Sequence, residues 1–176
     1  MKQINTIFMG NPEFCLPALE EIKKSESINL VLICAGPDRK AGRGQKTKSP
    51  ATIQFAKKNN TKFVQSENIN KSEEFIQFCD NTKIDLIIVF AFSNFLGSRI
   101  LNLPRIGCFN IHTSLLPKYR GSSPIHFSLL NDDKETGVCI QKMVKNMDAG
   151  DILLSEKLRI DKNDNYQILS EKFKKI

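Results

Sequence analysis

No apolar run in the 176-residue chain approaches the ~20 residues that a membrane-spanning helix needs. The opening, M-K-Q-I-N-T-I-F-M-G, lacks the long apolar stretch and small-residue cleavage site of a secretory signal. A cytoplasmic location, with no membrane partner, is the expectation. The five cysteines (Cys15, Cys34, Cys79, Cys108, Cys139) include no Cys-x-x-Cys pair, so neither a disulfide framework nor a zinc site has the spacing it needs. They read as structural thiols in a reducing compartment, and no metal is expected. No G-x-G-x-x-G follows the first apolar run, which leaves dinucleotide binding with little support. Acidic residues are the scarcer charge, 19 against 26 Lys and Arg, for a net +7. That balance favours an acidic partner, although a lysine-rich surface is also simply a solvated one.

What is present reads as one α/β domain of ordinary size. Ile4–Met9 is an apolar strand, Gly10-Asn11-Pro12 a turn, Pro12 to about Ser25 an amphipathic helix, and Asn29–Ala35 a second strand. This β-α-β opening implies a parallel sheet with a right-handed crossover. Ala51–Lys58 and Ser72–Asp80 read as helices and Phe63–Gln65 as a short strand. Asp85–Phe92, D-L-I-I-V-F-A-F, reads as a buried central strand running into a candidate pocket wall. Helix from Ser123 to Leu130, strands at Thr136–Val144 and Ile152–Leu158, and a helix from Asn163 complete the pattern. Residues 37–50 form the one long irregular segment, carrying Arg39, Lys40, Arg43, Lys46 and Lys48. Such a segment suits a phosphate backbone through counterion release, or is a solvated loop; composition leaves both open. Without aromatics it does not suit base stacking.

The chemistry concentrates in residues 107–121, G-C-F-N-I-H-T-S-L-L-P-K-Y-R-G. Asn110 and His112 interrupt a short apolar strand two residues apart, so strand alternation points both to one face. The carboxyl end of such a strand is where open α/β sheets place ligands. Asp148, in the loop N-M-D-A-G-D, is the third candidate. An amide can donate to an oxyanion, an imidazole can donate or shuttle a proton, and a carboxylate can orient that imidazole. No nucleophile is evident, so the set suggests direct attack of an amine or water on a carbonyl. Each also has a plainer role: a bonded core histidine, a capping Asn110, a turn at Asp148. His126 reads as structural, and Tyr119 and Arg120 suit a substrate phosphate or a covered sheet edge.

F-N-I-H-T-S-L-L-P-K-Y-R-G-S-S-P-I, T-G-V at 136–138 and M-D-A-G-D-I-L at 147–153 together resemble the folate-dependent formyltransferases. P-D-R-K-A-G-R-G at 37–44, with K-T-K-S-P at 46–50, narrows the resemblance to the branch acting on methionyl-tRNA, and F-M-G-N-P-E-F at 8–14 also fits. Asn11 stands where those proteins usually have Thr, and Phe92-Ser93 where they usually have Tyr-Gly.

The resemblance implies a Rossmann-like, mostly parallel sheet with helices on both faces. It implies transfer of formyl from 10-formyltetrahydrofolate to the amino group of initiator methionyl-tRNA, with Asn110, His112 and Asp148 catalytic. Ser114, Leu115, Leu116, Pro117 and Phe92 would contact the folate, and Arg39, Lys40, Arg43, Lys46 and Lys48 the tRNA. A monomer is expected. The resembling proteins continue into a C-terminal β-barrel that helps bind tRNA, so residues 1–176 read as the catalytic domain, with weak tRNA binding on its own. Three alternatives stand: a small amine acceptor (glycinamide ribonucleotide or an amino sugar), a hydrolase releasing formate, and a non-catalytic folate- or RNA-binding module.

Overall fold

The computed structural model of the chain describes residues 3–41 and 45–176. It divides into two compact units, 1–108 and 109–176. Seven strands form one sheet in the order β5-β2-β1-β6-β7-β8-β9, with a separate β3-β4 pair.

In the first unit, β1 (Ile4–Met9) ends in four consecutive buried residues, Thr6 to Met9, so both of its faces are covered. It pairs in parallel with β2 (Ile28–Ala35), whose last four residues are buried in the same way. Between them a 3-10 turn, Glu13–Cys15, leads into α1 (Leu16–Lys24). The expected single helix starts with this tighter turn for a covalent reason. Pro17 has no N–H to reach the Glu13 carbonyl, which accepts from Leu16 instead.

The basic segment is not irregular throughout. Arg39–Ala41 (β3) and Lys46–Lys48 (β4) pair antiparallel, with Arg39 opposite Lys48. Every described side chain of the pair is exposed, so no apolar period announces it. Arg43 lies outside the described residues.

α2 (Ala51–Lys58) buries Thr52, Ile53 and Ala56, and the Thr52 hydroxyl donates to the Gly10 carbonyl at 2.6 Å. β5 (Phe63–Gln65) joins β2 in parallel. α3 (Glu73–Asn81) is capped by Ser72, whose oxygen accepts from the Phe75 N–H, with Glu73 and Glu74 in its first turn. β6 (Leu86–Phe90) pairs in parallel with β1 but is shorter than the expected 85–92. Ala91 adopts a left-handed φ of 48°, which turns the chain off the ladder before Phe92. Asp85, also outside the strand, accepts from the Arg105 guanidinium at 2.8 Å. α4 (Ser98–Leu101) follows.

β7 (Gly107–His112) leads into the second unit. There α5 (Pro124–Leu130) precedes β8 (Glu135–Lys142), which pairs antiparallel with both β7 and β9 (Ile152–Arg159). β8 stops at Lys142, short of the expected Val144, where its N–H bonds the Asp151 carbonyl and closes the neck of the intervening loop. α6 (Tyr166–Phe173) begins three residues later than expected, because the Asn165 side chain is the cap, accepting from the Ile168 N–H at 3.0 Å.

The α/β reading with a mostly parallel sheet is the architecture found. All five cysteines are free and all but Cys79 are buried. Burial pushes the Cys15 and Cys108 thiols up to about 12 and Cys79 to about 11, which leaves almost no thiolate at neutral pH. No helix among the described residues is long and apolar enough to cross a membrane.

Candidate functional site

β7 and β8 present a shared polar face. Their register sets Asn110 opposite Gln141 and His112 opposite Cys139, and side chains directly across an antiparallel pair lie on one face. His112 is 6% exposed and Gln141 1%, so the N–H donors of both must find acceptors inside the protein.

The partner is Asp148. Its Oδ1 accepts from Gln141 Nε2 at 2.6 Å and from Asn110 Nδ2 at 3.3 Å. Its Oδ2 accepts from the Gly121 backbone N–H at 2.7 Å and lies 3.7 Å from His112 Nδ1. Every bonded partner is a donor, the set that suits an acceptor-only carboxylate. The other imidazole nitrogen, Nε2, is 2.9 Å from the Tyr119 carbonyl oxygen.

Unusual backbone builds this arrangement. Tyr119, Ser123 and Asp148 have left-handed φ values of 58°, 67° and 46°, and Gly121 has φ 91°. Left-handed non-glycine residues carry local strain and gather at functional sites. At Tyr119 the conformation aims a carbonyl at the histidine. The Tyr119 ring is held apart from it, its hydroxyl donating to Asp133 Oδ2 at 2.7 Å.

The three candidate catalytic residues named by spacing are therefore brought together. Ser114–Pro117 follows His112 after a single residue, Thr113. Ser114 is fully buried and spends its hydroxyl on the Lys118 carbonyl at 2.6 Å, and the Leu116–Pro117 bond is cis. Leu115 and Leu116 are half-buried and Pro117 exposed. Phe92, half-buried, and the basic ribbon with Arg39, Lys40, Lys46 and Lys48 belong to the first unit. Asn11, also there, accepts from the Gly36 N–H at 2.7 Å and donates to Ser93 at 3.1 Å, so Asn11 and Ser93 bond each other. His126 is exposed and stacks on Tyr166 at 4.3 Å. Among the described residues, no group of three or more His, Cys, Asp or Glu is placed to hold a metal.

Sequence reasoning missed Gln141, the Gly121 N–H and the Tyr119 carbonyl. Gln141 had a signal: it occupies the buried phase of β8, with Gly137 and Cys139. The two backbone groups had none, because only the folded turn aims them.

The chain is 40% identical over 173 residues to a methionyl-tRNA formyltransferase of Halothermothrix orenii, covering 98% of this chain and 54% of that protein. It is 42% identical over 166 residues to the Thermotoga maritima protein of the same name, covering 94% and 52%. The chain thus spans about half the length of these curated relatives. Among solved structures, a phosphoribosylglycinamide formyltransferase from Bacillus halodurans matches with a TM-score of 0.80 and 18% identity, over 97% of this chain and 88% of that one. A formyltetrahydrofolate deformylase from Pseudomonas syringae matches with a TM-score of 0.77 and 15% identity, over 99% and 57%. At such identities the likeness is one of fold. The family model described as formyl transferase matches residues 2–176, and the chain belongs to that family.

Proposed function

We propose that the chain transfers the formyl group of 10-formyltetrahydrofolate to the amino group of methionyl-initiator-tRNA. The observation that carries this reading is the Asp148 carboxylate, which gathers Asn110 Nδ2 and His112 Nδ1 on one face. The relatives' shared name, at 40% and 42% identity, supports the tRNA acceptor.

The amine nitrogen attacks the formyl carbon, and the carbonyl oxygen becomes an oxyanion. Asn110 Nδ2 and protonated His112, through Nδ1–H, donate to that oxygen, while Asp148 balances the imidazolium charge. The bond from the formyl carbon to folate N10 then breaks as His112 gives its Nδ1 proton to N10, and the proton lost by the amine restores the imidazolium. Each oxyanion donor is worth ~10²–10³ in rate. Phe92 and Ser114–Pro117 serve as folate contacts. Arg39, Lys40, Arg43, Lys46 and Lys48 approach the tRNA phosphates.

The test is single-turnover transfer to Met-charged initiator tRNA at low salt, with Asp148→Asn alongside. An amide there cannot accept from Gly121, Asn110 and Gln141 together, so the variant's rate should fall by at least ~10². Transfer to glycinamide ribonucleotide or an amino sugar instead of the tRNA would overturn the acceptor. Formate release without any acceptor would make the chain a hydrolase.

A further inference from the structure

We propose that Gln141 is a positioning residue: it fixes the Asp148 carboxylate so that the Asn110 amide and the His112 ring are both free to face the reacting carbonyl. The inference deepens the formyl-transfer reading and rests on it for its rate measurement. Two donors share Asp148 Oδ1, and they are unequal. Gln141 Nε2 sits at 2.6 Å, whereas Asn110 Nδ2 sits at 3.3 Å, near the limit of a useful hydrogen bond. The close bond holds the carboxylate; the long one is free to be exchanged for a developing oxyanion. Without Gln141, Asn110 would be the sole side-chain donor on Oδ1 and would be drawn away from the substrate.

The other end of the same side chain argues that stability alone does not explain it. Gln141 Oε1 is buried and has no hydrogen-bond partner. A buried acceptor without a donor costs stability, and an apolar side chain of the same length would remove that cost. The amide faces this way because its NH₂ is needed at Asp148. Asp148 needs an anchor: its φ of 46° is unfavourable for a non-glycine residue, and its loop is pinned at the neck by the Lys142 N–H to the Asp151 carbonyl.

Two variants of the full chain test this. Gln141→Met keeps length and volume and removes the donor. It should melt at the wild-type temperature or above, bind folate and tRNA as before, and transfer formyl about 10–100-fold more slowly, the size of one missing hydrogen bond to a charged group. Without any substrate, the Gly121 amide proton, which donates to Asp148 Oδ2, should shift and exchange faster with solvent. Gln141→Glu adds a reversible readout, since a carboxyl donates to Asp148 only when protonated. Its rate relative to wild type, and its Gly121 amide signal, should both recover as pH falls. Among the described residues, Asp148 bonds the side chain at 141, and the strand register sets His112 and Cys139 on the same face; wild type shares all three, so the ratio isolates the new carboxyl.

A Gln141→Met protein with a wild-type rate and an unchanged Gly121 amide overturns the inference. If that variant does not fold, a Gln141→Glu ratio and Gly121 signal that stay flat with pH overturn it equally. If wild type transfers no formyl group, the functional reading falls, and the Gly121 amide still decides the role of Gln141.

Discussion

His112 Nε2 donates to the backbone carbonyl of Tyr119 at 2.9 Å. A carbonyl only accepts, so Nε2 carries a proton whether the ring is neutral or charged. The nitrogen left for chemistry is Nδ1, 3.7 Å from Asp148 Oδ2. Asparagine places its amide nitrogen near the position of Nδ1, glutamine near that of Nε2. His112→Asn should therefore keep more activity than His112→Gln, which loses the oxyanion donor and should fall by ~10²–10³ in single-turnover rate. The reverse order would assign the chemistry to Nε2.

The loop that carries Asp148 leaves no room at Gly150. A Cβ there would run into the Lys142 carbonyl oxygen, a backbone atom that cannot swing aside. Gly150→Ala should displace Asp148 and cost about 1–3 kcal/mol of stability, with a rate loss in folded protein beyond that explained by unfolding. Gly36→Ala is the control, since its Cβ would meet only Asn11 Oδ1, at an ordinary 3.5 Å. Equal effects of the two on rate and melting temperature would detach the loop from the chemistry.

Much of this site was legible because it obeys short periods. The bounds of β1 match an apolar-rich stretch that ends at the Gly10-Asn11-Pro12 turn, and Asn110 with His112 follows from strand alternation. Asp148 stood out as an acid in a glycine-containing turn. The basic ribbon was hidden because Arg39 pairs with Lys48 with no buried face among the described side chains to set a pattern. The Tyr119 carbonyl was hidden because its direction depends on a left-handed φ that nothing in Leu-Pro-Lys-Tyr-Arg announces. The end of β6 was misjudged for the same reason, at Ala91.

Asp85 ties β6 to the chain around it and predicts an acid limb of stability. The Arg105 guanidinium and the Asn5 N–H hold its carboxyl below the ordinary value of 3.8. The folded form therefore binds this proton less readily than the unfolded chain. The contribution is fully present above the unfolded value and is lost as pH falls through the lower, folded one. Arg105→Met should flatten that limb, with melting temperatures converging on wild type at the acid end and lying below it at neutral pH. A constant difference between the two proteins across the whole range would show that the pair does not act through this carboxyl.

The β3-β4 ribbon makes the most direct test of an RNA partner. Arg39 faces Lys48 across the pair, and like charges directly opposite destabilise a strand pair unless an anion lies between them. Arg39 has part of that relief from Glu67 at 3.6 Å, while Lys40, Lys46 and Lys48 are exposed. A phosphate backbone would supply the rest. Replacing Lys40, Lys46 or Lys48 singly by Ala should lower the slope of log affinity for tRNA against log salt by roughly 0.7–0.9 for each phosphate that is no longer neutralised. Arg39→Ala should lower it less, since that side chain already spends part of its charge within the protein. Folate binding should not change in any of them. Slopes equal to wild type in all three lysine variants would mean that the ribbon is a solvated surface and that the tRNA is held elsewhere.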